Sequence, residues 1–373
     1  MYYKLLLLVF LFNIFISPQD IPDTFYKRYE GSIDGKYNIV VNLRCIDSSL
    51  SGSYYYTNKG ELINFIRSSI DSAGNIYLEE DAGFDTDYKP KTSGIFKGKF
   101  KSPSEITGTW EKPGGKKPLP FFLEEKYPAG SAQFGIKQYS KVYSDYGSAK
   151  IEFTMLQLIN AENKPAADSI NRHFGYFPDF SVYDDSTNSA PPKSADELMD
   201  NFIGMYINDI VKDSVNYDGH IPEYEASSSV EILYNNDNIL SVSNINFTYL
   251  GGAHPNTLFT LVSFDLATGK KITTADLFKP GFEKKLYELG EKQFRKFYQL
   301  DDNKSLNDQG FWFEDGFKLN DNFYITKAGI KFLFNPYEVG PYALGAPEVY
   351  FRFSDIKDLL REDSIITAGL KKD

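Results

Sequence analysis

Between residues 24 and 126, apolar and polar positions alternate in short runs separated by turn residues. The runs are Tyr37–Leu43, Leu50–Tyr56, Leu62–Ile70, Asn75–Glu79, Gly94–Phe100, Ser104–Trp110 and Leu119–Leu123. Ile39, Val41 and Leu43 share one face, as do Phe121 and Leu123. Asn58-Lys59-Gly60, Ala73-Gly74-Asn75 and Pro113-Gly114-Gly115 punctuate the runs as turns. Seven short strands without a helical period predict an all-β meander or small barrel. Gly52, Gly94, Gly98 and Gly108 lie inside the runs and suggest bulges or corners. Residues 127–139, with Pro128 and Gly130, read as a polar connection.

The pattern changes from residue 140 onward. Ile151, Phe153 and Met155 alternate, so residues 150–159 read as a strand. Pro165–Phe174 reads as a short helix. Ser194 and Glu197 have capping-box spacing. Leu198, Met199, Phe202, Ile203, Tyr206, Ile207, Ile210 and Val211 then continue as the stripe of an amphipathic helix. Strands follow around Val230–Tyr234, Leu240–Tyr249 and Leu258–Phe264, with a shift of apolar parity near Asn244 that suggests a bulge. A helix over 282–300 should bury Phe282, Leu286, Leu289 and Phe297. Strands at 322–326, 330–334 and 348–353 precede a short helix capped by Ser354. The expected architecture is multi-domain: an N-terminal all-β barrel or meander, then an α+β region with an antiparallel sheet packed on helices.

Composition narrows the chemistry. The 373 residues carry 51 Asp+Glu against 40 Lys+Arg, a formal charge of −11, which argues against electrostatic nucleic-acid binding. A single Cys excludes an intrachain disulfide framework, and Cys45 reads as a small strand residue. Three scattered His (His173, His220 and His254) do not have zinc-site spacing. Asp301-Asp302-Asn303-Lys304-Ser305 opens like a calcium loop, but Leu306 and Trp312 stand where that loop needs glycine and glutamate. Tyr54-Tyr55-Tyr56 and Trp110 could stack on a flat ligand, although barrel aromatics more often fill the interior. No metal or cofactor is expected.

Residues 1–17, MYYKLLLLVFLFNIFIS, place Lys4 before an apolar run too short to span a bilayer comfortably. They read as a secretory signal, and the expected location is periplasmic or extracellular. Without Lys4 the charge of −11 becomes −12. No later apolar stretch suits a membrane helix.

A motif set lies in the C-terminal third. Tyr249-Leu250-Gly251-Gly252-Ala253-His254 is followed by Asp265-Leu266-Ala267-Thr268-Gly269-Lys270 and by Asp276-Leu277-Phe278. Phe334-Asn335-Pro336-Tyr337-Glu338-Val339-Gly340 and Tyr342-Ala343 before Gly345 complete it. Together they resemble the RsiV-like domain, over about 246–362. The order of elements over about 140–245 is similar to the companion domain of the PdaC/RsiV type. The resemblance implies an extracytoplasmic domain found in lysozyme-sensing anti-sigma factors and in exported proteins. Sigma regulation and deacetylation are not implied: the sigma-binding segment and the aspartate–histidine metal motifs of those relatives are missing, and Asp184-Asp185 lies in a Ser/Thr/Asn loop.

The ligand-binding candidates are Tyr249, His254, Tyr337, Glu338 and Tyr342; Gly251, Gly252, Asp265, Gly269 and Gly345 read as structural. The leading expectation is a non-enzymatic binding protein of the envelope, taking a lysozyme-like protein or a cell-wall glycan. An acidic surface steers cationic partners. One alternative is an envelope hydrolase pairing His254 with Glu338, although no nucleophile accompanies them. Another is a structural envelope component that forms oligomers.

Overall fold

The computed structural model describes residues 21–84, 89–115, 117–144, 148–160, 163–180, 193–207 and 223–370. The apolar segment 1–17, the Asp184-Asp185 loop, Ile210, Val211 and His220 lie outside them.

Eight antiparallel strands form a closed barrel: β1 (Phe25–Ile33), β2 (Tyr37–Ile46), β3 (Ser49–Tyr56), β4 (Ile63–Ile70), β5 (Asn75–Phe84), β6 (Pro90–Ser102), β7 (Glu105–Glu111) and β8 (Leu119–Glu125). Closure sets Ile33 opposite Phe121 and Tyr29 opposite Glu125, so no strand edge is left open. Tyr29, Ile39, Val41, Leu43, Tyr54, Leu78, Phe96, Ile106, Phe121 and Leu123 fill the interior. Gly98 and Gly108 face each other across β6 and β7 beneath the Phe121 ring. A Cβ on Gly98 would stand 2.7 Å from Phe121 Cζ, so glycine there makes room for the aromatic. The strand missing from the alternation is β1. It buries both faces, one of them through Arg28, and therefore shows no period-two pattern.

A five-stranded sheet follows, in the order β13-β12-β11-β10-β9. Its strands are β9 (Gln133–Tyr143), β10 (Ser148–Asn160), β11 (Glu223–Asn236), β12 (Ile239–Tyr249) and β13 (Asn256–Asp265). Residues 133–139, read from sequence as connection, are thus the first part of β9. The boundary at 245/246 falls inside β12. The sheet is mixed rather than antiparallel throughout, because β10 and β11 run parallel. A parallel pair needs a crossover, which here carries α1 (Lys164–Phe174) and α2 (Ala195–Phe202). Ala167, Ile170 and Phe174 of α1 pack on Leu156, Leu158, Val242, Val262 and Phe264. Leu198, Met199 and Phe202 of α2 pack on Ile151, Phe153, Tyr224 and Ala226. The Ser194–Glu197 capping box is formed, and a π-helical turn at Ile203–Ile207 carries the stripe on. Asp237 and Asn238 turn β11 into β12 with φ of 56° and 62°, the left-handed pair of a type I′ hairpin. The bulge lies at Leu233 in β11, between Ile232 and Tyr234; β12 runs through Asn244 in unbroken register with β13.

The C-terminal part contains α3 (Thr274–Leu277), α4 (Glu283–Phe297), β14 (Phe323–Ile325), β15 (Gly329–Leu333), β16 (Glu348–Arg352), α5 (Phe353–Ile356) and α6 (Ile365–Leu370). Leu286 and Phe294 of α4 meet Phe311, Phe313, Phe317, Phe334 and Phe351 in an aromatic core. Phe297 is 75% exposed and does not join it. Helix α5 begins at Phe353 after Arg352, one residue before Ser354, whose hydroxyl instead donates to Asp355.

The outer wall of β1–β3 docks on the sheet. Tyr26 meets Phe134 edge-on at 5.5 Å, and Tyr55 meets Tyr234 at 5.7 Å. Arg28 is 1% exposed; its Nε donates to Asn235 O at 3.0 Å and its Nη1 to Lys126 O at 2.8 Å, while Nη2 pairs with Glu30 at 2.9 Å. Arg44 bridges to Glu231 at 2.9 Å. Glu61 of the β3–β4 turn pairs with Arg352 at 2.6 Å. The barrel is therefore fastened to both later sheets.

Candidate functional site

Strand β13 is the edge of its sheet, and an open edge exposes unpaired backbone groups. Two asparagine side chains cover this one. Phe259 N–H donates to Asn335 Oδ1 at 2.7 Å, and Leu261 N–H donates to Asn322 Oδ1 at 2.7 Å. Phe259 O accepts from Asn322 Nδ2 at 2.9 Å and from Asn335 Nδ2 at 3.1 Å. The amides act as a substitute strand, and they pin the loop 334–345 beside the β12–β13 hairpin.

Glu338 belongs to this clamp. Its carboxylate accepts from Asn335 N–H at 2.8 Å and from Asn320 Nδ2 at 2.8 Å, closing the Asn335–Glu338 turn. It takes neither bond from His254. Val339 is buried and its carbonyl accepts from Trp312 N–H. Tyr337, at the apex, has φ of 68°, a left-handed conformation uncommon for a bulky residue, and is 52% exposed.

The clamp brings three rings together. The His254 ring stacks on Tyr342 with centroids 3.8 Å apart and planes 16° from parallel. Tyr337 and Tyr342 lie 5.6 Å apart. Tyr342 OH donates to Pro255 O at 2.8 Å. His254 Nδ1 lies 2.9 Å from the same carbonyl, which can only accept, so Nδ1 carries a proton. In the neutral ring Nε2 then accepts from Tyr337 OH at 3.3 Å. His254 is exposed and Tyr342 half-buried, so the cluster presents rings to solvent. It offers stacking surface and hydroxyl groups, and the hydroxyl that meets the imidazole is the Tyr337 phenol.

The other motif residues hold backbone. Tyr249 ends β12 opposite Glu225 and is half-buried. Gly251 turns the hairpin with φ of 78°, and Gly252 is exposed. Asp265 accepts from Ala267 N–H and Thr268 Oγ1, both at 2.8 Å. Gly269 sits against α1, where a Cβ would come within 2.5 Å of Ala166 O. Gly345 closes the loop with φ of 71°.

Outside this face, Tyr54 points into the barrel and Tyr55 into the seam. Trp110 is held by Glu80, a residue whose role the alternation did not reveal. Glu80 is 3% exposed and accepts from Trp110 Nε1 at 2.5 Å, Tyr54 OH at 2.6 Å and Ser93 Oγ at 2.7 Å. These bonds tie β3, β5, β6 and β7 across the barrel interior. Cys45 is fully buried, and burial pushes its thiol up to about 11. Asp301 accepts from Asn303 N–H within its own turn, and His173 meets Phe264 edge-on at 5.0 Å. Among the described residues no three His, Cys, Asp or Glu side chains converge as a metal site would require, and no helix is long and apolar enough to cross a membrane.

Two families match parts of the chain. Residues 142–257 match the family described as Deacetylase PdaC. Residues 275–354 match the one described as protein of unknown function (DUF3298). A crystal structure of a DUF3298 family member from Bacteroides fragilis is similar, with a TM-score of 0.54 at 18% identity, covering 66% of this chain and all of that one. That likeness concerns the fold. A DUF3298 family protein from Pseudomonas aeruginosa gives a TM-score of 0.45 at 13% identity, over 62% of this chain and 97% of that one. No curated protein matches the chain.

Proposed function

We propose that this chain is an exported binding protein of the cell envelope that holds a cell-wall glycan on the His254–Tyr337–Tyr342 face. The observation that carries this reading is the ring cluster itself. Three aromatic side chains from two separate loops are kept at the surface by a backbone clamp, with Tyr337 in a left-handed conformation. Aromatic rings presented with their hydroxyls suit a ligand with both apolar faces and hydroxyl groups, as a pyranose has. The PdaC match supports an envelope setting, and the apolar run 5–16 after Lys4 supports export. Glu338 is committed to the Asn335 turn, which favours binding over hydrolysis by a His254–Glu338 pair.

The formal charge of −11 favours a second ligand class, a cationic protein such as a lysozyme-like enzyme, in line with the resemblance to the RsiV-like domain. The two readings separate by experiment. Purified full-length protein is sedimented with insoluble wall material, and in parallel titrated with a cationic wall-degrading enzyme. Glycan binding should survive moderate salt and fall in Tyr337→Ala and Tyr342→Ala. Binding to the enzyme alone, abolished by salt and untouched by these substitutions, would favour the second reading and remove the first.

A further inference from the structure

The seam between barrel and sheet contains a small cavity on the outer wall of β2 and β3, mostly apolar in its lining with a polar end at Asn42 and Ser53. Asn42 and Ser53 are direct cross-strand partners there, 2% and 3% exposed. Facing them are Leu156 of β10 and Val230–Leu233 of β11, where Leu233 is the bulged residue. Asn64 stands exposed at the mouth, and Arg44 and Ser51 complete the wall.

Asn42 Oδ1 accepts from Tyr26 OH at 2.7 Å, and Tyr26 OH itself accepts from Asn235 Nδ2 at 3.4 Å, which leaves its proton for Asn42. Its Nδ2 then has no hydrogen-bond partner among the described residues, and neither has Ser53 Oγ. Two adjacent buried polar groups without partners are rare in a folded chain, because each has given up its hydration. The cavity volume is about 30 Å³. One water needs roughly 10–15 Å³ on the same measure, so about two fit.

Charge chooses among guests of that size. Arg44 donates to Ser51 Oγ at 3.2 Å, to Val230 O at 3.2 Å and to Glu231 Oε1 at 2.9 Å, so its charge is already met. An anion would face Glu231, and a cation would face Arg44 and the Asn42 N–H groups. A neutral molecule that both donates and accepts satisfies the Asn42 and Ser53 end without bringing a charge into the apolar remainder. We infer that this cavity is a water site, where water accepts from Asn42 Nδ2 and exchanges a hydrogen bond with Ser53 Oγ, on the barrel side of the seam. The Leu233 bulge supplies the room, since the extra residue lifts β11 locally from its regular path.

A crystal structure of the full chain, at a resolution where waters are visible, tests this. The expected result is an ordered water within hydrogen-bond distance of both Asn42 Nδ2 and Ser53 Oγ. Ser53→Val places methyl groups in the same space and should expel that water while leaving the circular dichroism spectrum unchanged. An empty cavity, or an Asn42 amide turned onto a protein acceptor, would overturn the inference. So would an anomalous peak at the site after a bromide soak, which would identify an anion. Water persisting in Ser53→Val would show that it does not depend on the pair and would also overturn it.

Discussion

Asn335 holds Phe259 at both backbone groups: its Oδ1 takes the Phe259 N–H at 2.7 Å and its Nδ2 reaches the Phe259 carbonyl at 3.1 Å. One side chain thereby replaces a strand at the edge of β13 and sets the loop that carries Tyr337 and Tyr342. Asn335→Ala removes both bonds. A net loss of about 1–3 kcal/mol is expected, since each bond contributes about 0.5–1.5 kcal/mol. Hydrogen exchange should rise at Phe259 and along 335–345 before it rises in the barrel. Uniform loss of protection across the chain would contradict the local role.

Arg28 joins barrel to sheet with its charge buried. Arg28→Met leaves the carbonyls of Asn235 and Lys126 without this donor and Glu30 without its partner. Glu30 is partly exposed and stays solvated, so the loss comes from the buried carbonyls left without a donor, about 1–3 kcal/mol. Denaturant unfolding should show that loss, and Arg28→Lys should not restore it, because an ammonium cannot reproduce the planar fork. A variant as stable as the wild type would show that the seam does not depend on Arg28.

Glu79 gives a pH signature. Its carboxylate accepts from Arg67, Tyr77 and Thr92, and the bond from Arg67 leads in pulling it from 4.5 to about 2. A depressed carboxyl stabilises the fold above its unfolded value and loses that contribution as the pH falls. The stability of the wild type relative to Glu79→Gln should therefore shrink between about pH 4.5 and pH 2 and stay constant above it. A difference that grows on acidification would have the wrong sign.

Cys45 predicts a silent thiol. It is buried, and burial raises it to about 11, so at pH 8 little thiolate exists. A thiol reagent should react slowly with native protein and promptly in denaturant. Fast native reaction would mean that this end of the barrel opens.

Much of this architecture was legible because period-two patterns report one-sided burial. Strands β4 to β8 follow alternation, and the Ser194–Glu197 box announces α2. What escaped lies where burial is two-sided or the partner is distant. The run Ile39-Val40-Val41-Asn42-Leu43 is buried at every position, because odd residues enter the barrel while Val40 and Asn42 enter the seam. Read as a continuous run, it signals a strand covered on both faces. Arg28 hid β1 for the same reason. At the candidate face the motif stood out, and Tyr337, Tyr342 and His254 do meet. The geometry assigns Glu338 to a turn and raises Asn335 and Asn322, whose edge-capping amides the sequence does not mark. An edge 61 to 76 residues away, as at Leu261 and Phe259, leaves no local trace.

A glycan held on the ring cluster registers directly as affinity for cell-wall material. The direct measurement is the affinity of full-length protein for soluble wall fragments, for the wild type and for Tyr337→Ala with Tyr342→Ala, at constant salt. Saturable binding by the wild type is expected, weakened at least about tenfold in the double variant, equivalent to about 1.4 kcal/mol, with the fold intact by circular dichroism. Equal affinity in the two proteins, or no binding by the wild type, would contradict it.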